Sequence, residues 1–286
     1  FKIFSLMKAI ILNLSAWVIL PFMDTIAKYL SSELSFFQIT WARYFFTVFW
    51  TLPFMFFFFR KNLNWSENPK LQILRGLTLF FANICFFYSI SVISMAKALT
   101  LAFVAPLVTT ALSPVILGEK VGIRRWTAVI VGFIGSLVVI RPGFIEFNLA
   151  TIAALGTGCL YGVYLIITRK LHSTDNPLLT LLITGIVGTT ISTLLVPVVW
   201  INPSVSQWFL LGIMGIFACL GHLLLIYSLR YADASKLAPF GYFEIITTII
   251  LGYYFFGDFP NIWTFLGLFI IISSGIYIFK RELSHK

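Results

Sequence analysis

The sequence predicts an all-α membrane protein of ten transmembrane helices, arranged as two inverted five-helix repeats with both termini on the cytoplasmic side. Three observations predict it: a nearly continuous apolar composition, a repeat at a constant step of 139 residues, and a one-sided distribution of basic residues.

Hydrophobic residues make up 59% of the 286 and charged residues only 10%, with a mean hydropathy of +0.97. A soluble domain carries roughly 25% charged residues, so most of this chain has lipid or protein, not water, as its solvent. Apolar runs of about 20 residues, long enough for a helix to cross a hydrocarbon core of roughly 30 Å, can be drawn ten times along it. They begin near Leu6, Ser35, Leu71, Ala96, Arg124, Leu149, Pro177, Ser206, Ala234 and Asn261. The connections are short, the longest polar interruption being RKNLNWSENPKLQ between the second and third spans, and no separate soluble domain is expected. The first run is too long for a signal-peptide apolar region and lacks a small-residue cleavage site, so it reads as a retained helix. A start at Phe1 points to trimmed leading residues.

A net charge of +10 raises the question of a nucleic-acid partner. The basic residues are dispersed at span ends, however, as topology in a bilayer requires, and no nucleic-acid partner is expected. Counting alternate ends puts 16 of the 20 Lys and Arg on one side, including Lys8, Arg75, Arg125, Arg169 and Lys236. Lys28, Lys97 and Arg141 fall on the other, and Arg43 lies inside a span. Cys85, Cys159 and Cys219 sit within spans with no CxxC and no spacing suited to zinc, so they read as packing residues. No metal or cofactor is expected.

The repeat needs no gap. GLTLFFANICFFYSISVISMAKALTLAF from Gly76 overlies GIFACLGHLLLIYSLRYADASKLAPFGY from Gly215, which sets Tyr88-Ser89 on Tyr227-Ser228 and Lys97 on Lys236. In the same register Thr109 meets Thr248, Leu112 meets Leu251, and Gly118-Glu119 meets Gly257-Asp258. Punctuation therefore matches as well as the spans, dividing the chain into residues 1–143 and 144–286. Five is odd, so the second copy enters the membrane from the opposite side to the first. Two inverted halves can open a site between them first to one side and then to the other.

Five plus five helices, the charge pattern and the wording of both copies resemble the drug/metabolite transporter superfamily, in particular its EamA-type branch. The stretches that carry the resemblance are RGLTLFFANICFFYSISVISMAKALTLAFVAPLVTTALSPVILGEKVGIRRWTAVIVGFIGSLVVIRPG and GHLLLIYSLRYADASKLAPFGYFEI. Within them Pro106, Gly118-Glu119, Arg125-Trp126 and Arg141-Pro142-Gly143 look like the branch's signposts. The likeness spans nearly the whole chain and is weakest in spans six and seven. It implies a multi-pass transporter with a central site built by spans including three, four, eight and nine. The branch moves amino acids, S-adenosylmethionine and other metabolites in either direction, so a small-molecule substrate and a bacterial inner membrane are implied. The GHLLLIYSLRYADASKLAPF wording is most similar to the subgroup containing S-adenosylmethionine transporters.

Polar residues within spans are candidates for the site, because a charge there costs a few kcal/mol on insertion scales. Glu244 falls about ten residues into the ninth span and has Ala105 as its partner in the first copy. Such an asymmetric carboxylate can bind a substrate ammonium or carry a proton; a structural, hydrogen-bonded Glu is the competing use. His222 overlies Asn83, so both halves place a hydrogen-bonding side chain at one depth, for substrate or for joining helices. Tyr88 and Tyr227, also matched, add polar tips, although Tyr88 and Asn83 stand about 140° apart round a helix and cannot both face the centre. Phe103 and Tyr242 complete the substrate-binding set. Asp24, Lys28 and Arg43 share a depth near the outer side and are expected as an ion cluster that holds the outer gate. Trp41 reads as an interface aromatic. Pro106, Pro114 and Pro239 disturb the fourth and ninth spans, as suits helices lining a cavity. Ala128, Gly132 and Ser136, and Gly158 and Gly162, offer close helix approach, inside the bundle or at a dimer face; monomer and homodimer both stay open.

The function expected is a secondary carrier of an amino-acid-like zwitterion or cation, S-adenosylmethionine included. The alternative of the same fold is an organic-anion carrier using Arg43, Lys97 and His222. A channel or structural subunit makes no use of the inverted repeat. An enzyme would need a motif such as HExxH or GxSxG, and a pump would need GxxxxGK[ST]; the sequence has none of them.

Overall fold

Backbone amides buried in lipid find partners only within their own segment or a closed barrel, and every long element here is a helix. The computed structural model describes residues 2–59, 66–140, 148–257 and 262–284. Arg60, Lys61, Arg141-Pro142-Gly143, Asp258 and Lys286 lie outside them. The helices are α1 (Lys2–Leu30), α2 (Phe36–Phe59), α3 (Pro69–Val92), α4 (Met95–Ala102), α5 (Val104–Leu112) and α6 (Ile123–Ile140). The second half supplies α7 (Leu149–Lys170), α8 (Pro177–Leu195), α9 (Val205–Tyr231), α10 (Ala234–Leu237), α11 (Glu244–Phe256) and α12 (Ile262–Ser284). Among the described residues seven helical stretches are long and apolar enough to cross a membrane, and α2, α6 and α12 occupy the other three expected positions.

Helix starts follow local chemistry. Pro69 and Pro177 occupy first-turn positions, where a missing N–H costs nothing. The Asn148 and Asn176 side chains accept from Thr151 N and Leu178 N, and Ser204 with Gln207 closes a capping box at α9. Two stops are glycines in the left-handed region, Gly118 at φ 68° and Gly257 at φ 70°, which are repeat equivalents. The matched punctuation is thus a shared backbone requirement: a side chain at either position costs about 1–2 kcal/mol.

The fourth and ninth spans are broken at matched places. Pro106 offers no N–H to the carbonyl of Ala102, one turn back, and the helix breaks at Phe103 between α4 and α5. Pro114 sits in a π turn at Ser113–Leu117, and Pro239 in a 3-10 segment at Ala238–Phe243. Phe103 and Tyr242, equivalent in the repeat, meet across the breaks with ring centroids 5.2 Å apart, edge to face. Glycines let backbones close on these breaks. A Cβ at Gly158 would collide with the Ala102 carbonyl oxygen, one at Gly162 would lie 2.8 Å from Val108 Cβ, and one at Gly132 would collide with the Tyr242 ring. The small-residue stripes therefore pack inside the bundle. The cysteines are free.

Packing between helices also repeats. α1 lies along α9, as its equivalent α7 lies along α3; α1 meets α11 as α7 meets α5; α2 packs on its own equivalent α8, and α6 on α12. Each half thus completes its core with the other. Ser5 Oγ donates to Tyr231 O at 3.2 Å, so α9 ends where α1 begins. Lys28 Nζ donates to Ile90 O at 2.9 Å, so α1 and α3 end together at the opposite face.

Candidate functional site

A cavity of about 890 Å³, counting all space between the lining atoms and its open part, lies between the halves. Asn13, Trp17, Leu20, Met23 and Asp24 of α1 line it, opposite Ala82, Asn83 and Phe86 of α3. Leu99, Phe103, Pro106 and Thr109 come from the broken fourth span, and Thr157, Tyr161 and Leu165 from α7. His222, Leu225 and Leu229 of α9, and Ala234, Leu237, Gly241 and Glu244 of the ninth span, close the circle. The broken spans matter here because a straight, fully apolar helix would present neither the Glu244 start of α11 nor the Phe103 edge.

Two lining side chains are acids. Asp24 is 5% exposed and Glu244 8%, and neither carboxylate has a hydrogen-bond partner among the described residues; Asp24 Oδ1 is fully enclosed. Each lies near another charge, Glu244 near Asp24 and Asp24 near Arg43. An unpartnered buried charge is costly; no Lys or Arg among the described residues lines the cavity, and Arg43 acts on Asp24 from behind the lining.

The cations stand one layer back. Arg43, 2% exposed, donates from Nη2 to His222 Nε2 at 2.6 Å and from Nε to Met23 Sδ at 3.3 Å. Arginine only donates, so Nε2 accepts, and the imidazole hydrogen belongs on Nδ1, which lies 3.1 Å from Tyr164 Oη. Arg75 Nη2 donates to the same Tyr164 oxygen at 2.7 Å, its Nε donates to Thr168 Oγ1 at 2.7 Å, and its Nη1 reaches Thr180 O and Thr184 Oγ1. His222 is therefore held between two guanidinium-centred networks with both ring nitrogens engaged. Asn83 is fixed too: Nδ2 donates to Leu79 O at 2.7 Å and Tyr44 Oη at 2.9 Å, which leaves its acceptor Oδ1 for a ligand. Asn13 accepts from Trp17 Nε1 at 2.7 Å and donates to Ser228 Oγ at 3.1 Å, tying α1 to α9 beside the cavity. Trp17 and Tyr161 form an aromatic wall, centroids 6.2 Å apart, and the Tyr161 hydroxyl is buried without a partner.

Of the residues picked from sequence, Glu244, His222, Asn83 and Phe103 line the cavity together. Tyr242 packs behind Phe103 and donates its hydroxyl to Val129 O at 3.0 Å. Tyr88 packs against Phe36 at 5.4 Å, and Tyr227 is half-buried; neither lines the cavity, because each stands on the flank of its helix away from Asn83 or His222. The expected cluster of Asp24, Lys28 and Arg43 is not drawn together: Asp24 faces the cavity, Arg43 turns to His222, and Lys28 binds the carbonyls of Ile90 and Ile93. Lys97 is exposed and off the cavity. Arg75, counted above among the charges at span ends, is fully buried inside α3. Sequence reasoning missed Arg75, Tyr164, Tyr161, Trp17 and Asn13. Tyr161 and Tyr164, three apart on one helical face, carried a readable signal.

At the face where α1 begins, a second polar cluster closes the bundle. Glu119 accepts from Ala234 N at 2.9 Å, Ser235 N at 3.0 Å and Ser235 Oγ at 2.7 Å, and Arg169 lies 3.5 Å from it and 3.2 Å from Asp233. Burial opposes the Asp233 charge, but the Lys236 ammonium at 2.8 Å and Arg169 outweigh it and hold its pKa below the ordinary carboxylate value.

Comparison with known proteins agrees with this architecture. The EamA-like transporter family matches residues 7–141 and again residues 148–280. An S-adenosylmethionine uptake transporter of Rickettsia prowazekii is 30% identical over 266 residues, covering 92% of this chain and 90% of that one. A riboflavin transporter of Vibrio cholerae is 30% identical over 187 residues, covering 65% and 63%. A solved crystal structure superposes with a TM-score of 0.75 at 16% identity over 96% of this chain and 98% of that one, a likeness of fold alone.

Proposed function

We propose that this chain, which belongs to the EamA-like transporter family, is a secondary carrier that moves a small cationic or zwitterionic metabolite by alternating access. The observation that carries the reading is the cavity wall: two carboxylates, Asp24 and Glu244, without a hydrogen-bond partner and without a lining Lys or Arg among the described residues. A substrate ammonium or sulfonium supplies the charge that the protein omits, while Trp17, Tyr161 and Phe103 offer faces for a planar or cationic group. S-adenosylmethionine carries both cations and a planar base, and relatives bear its name. The ten-span topology, the inversion of residues 1–143 against 144–286 and cytoplasmic termini in a bacterial inner membrane belong to the same proposal. The recurrence of every major helix contact at the repeat step supports them. An organic-anion carrier has less support: of its three residues only His222 lines the cavity, while Arg43 is engaged behind the wall and Lys97 is not among the lining residues.

Ligand that binds only the folded state raises its stability by about 2.7 kcal/mol at a hundred times Kd. Purified protein screened by thermal shift is expected to respond to S-adenosylmethionine and to other amino-acid-like cations, and to ignore dicarboxylates. Stabilisation by dicarboxylates with none by cations overturns the reading of the site.

A further inference from the structure

Two cations at opposite faces of the bundle bind repeat-equivalent carbonyls. Arg169, in the last turn of α7, donates from Nη1 to Leu229 O near the end of α9 at 2.6 Å. Lys28, in the last turn of α1, donates from Nζ to Ile90 O near the end of α3 at 2.9 Å and to Ile93 O at 3.2 Å. Leu229 and Ile90 are 139 residues apart, as are the helices that carry them. The two cations themselves do not align, since Arg169 overlies Leu30 and Lys28 overlies Ile167. A search for sequence identity therefore passes over the pair, and only the bonds reveal it.

The Leu229 carbonyl sits at one end of the cavity, and the Ile90 carbonyl, outside the lining, is bound by Lys28 one turn beyond Asp24 at the other. Leu229 and Ala234 line the cavity at the face where α1 begins, and both belong to the polar cluster there, Leu229 through its carbonyl and Ala234 through its N–H on Glu119. Glu119 follows the fourth span in the first copy while Ala234 opens the ninth span in the second, so this cluster ties the halves across the mouth. At the other end Lys28 lies one turn beyond Asp24, with its ammonium 5.6 Å from the Phe256 ring at the end of the ninth span. Phe256 belongs to the second copy, so Lys28 also reaches across the halves.

We propose that Arg169 and Lys28 are the paired latches of the transport cycle. Arg169 with Glu119 holds the face where α1 begins and Lys28 holds the opposite face; both are engaged in this structure, and opening towards either side releases the latch on that side. The proposal rests on the carrier reading but not on the identity of the substrate. Arg169 engages two carboxylates and a carbonyl, and Lys28 engages two carbonyls and the Phe256 ring.

The test is labelling by a membrane-impermeant maleimide, in sealed vesicles of each orientation, on a background with Cys85, Cys159 and Cys219 replaced by serine. Reporter cysteines replace Leu237, in the half of the cavity next to Arg169, and Leu99, in the half next to Lys28. Arg169→Ala is expected to raise labelling of the Leu237 reporter by about tenfold from its own face, the effect of shifting a two-state equilibrium by about 1.4 kcal/mol. Labelling of the Leu99 reporter from the opposite face should fall. Lys28→Ala is expected to act in the reverse sense. Glu119→Gln, which removes the charge and keeps the shape, should reproduce the Arg169→Ala pattern and guards against a variant that fails to fold. Unchanged labelling in Arg169→Ala and Glu119→Gln, or both cation variants opening the same face, overturns the latches. The readout is access, not uptake, so a protein that transports with unaltered labelling refutes the latches alone, and one that labels as described but moves no cation refutes the substrate reading alone.

Discussion

Glu244→Gln is expected to lower uptake of a cationic substrate by about thirtyfold or more, at concentrations below saturation, in proteoliposomes. Removing one partner of a desolvated charge pair costs about 2–5 kcal/mol, and each 1.4 kcal/mol is about a factor of ten. The same change should leave the fold intact, with a melting temperature equal to or above that of the parent. Glu244 has no hydrogen-bond partner among the described residues, so glutamine breaks no contact and removes a charge that the folded protein has to bury. Loss of transport with retained stability is the combination that separates a binding carboxylate from a structural one. Full uptake by Glu244→Gln sinks its assigned role.

The second large effect lies outside the cavity. Arg75→Ala is expected to destabilise the protein by about 3 kcal/mol, since hydrogen bonds to a charged group contribute about 1.5–3 kcal/mol each and the truncation also leaves a void. The sum is smaller than the bonds taken singly, for two reasons. Thr168 and Thr184 retain the backbone acceptors Tyr164 O and Thr180 O, and the cost of burying the guanidinium disappears. Tyr164 is the group left worst off, because its hydroxyl then has His222 as its remaining recorded partner. Thermal unfolding in detergent should show a drop of several degrees, with weaker uptake as His222 loosens. A melting temperature within a degree of the parent would contradict the role given to this network.

The scaffold was legible because membrane physics writes it into composition. Apolar runs placed helix starts within a few residues, and Gly118 and Gly257, matched as bare punctuation, are both left-handed stops. Prolines marked the broken spans, though the break at Phe103 falls about a turn before the Pro106 ring, whereas Pro239 lies within its 3-10 segment. Which face of each helix lines the cavity was far less legible. A helix that is apolar all round shows no favoured side, so Tyr88 and Tyr227 could not be told from Asn83 and His222 by pattern. Ion pairing was legible only in type. Comparable depth suggested that Asp24 and Arg43 pair, but the rotation of α2 that turns Arg43 onto His222 is set by packing against α9. Arg75 was hidden by its place near a span end, where lysine and arginine ordinarily meet water.

The central claim is that the cavity carries a cation from one side of the membrane to the other by alternating exposure. Counterflow tests it most directly. Proteoliposomes preloaded with unlabelled S-adenosylmethionine are diluted into a trace of the labelled compound. The account predicts a transient accumulation of label above equilibrium, absent in Glu244→Gln vesicles and inhibited by amino-acid-like cations. Equilibration without overshoot, accompanied by currents of channel size, would contradict it.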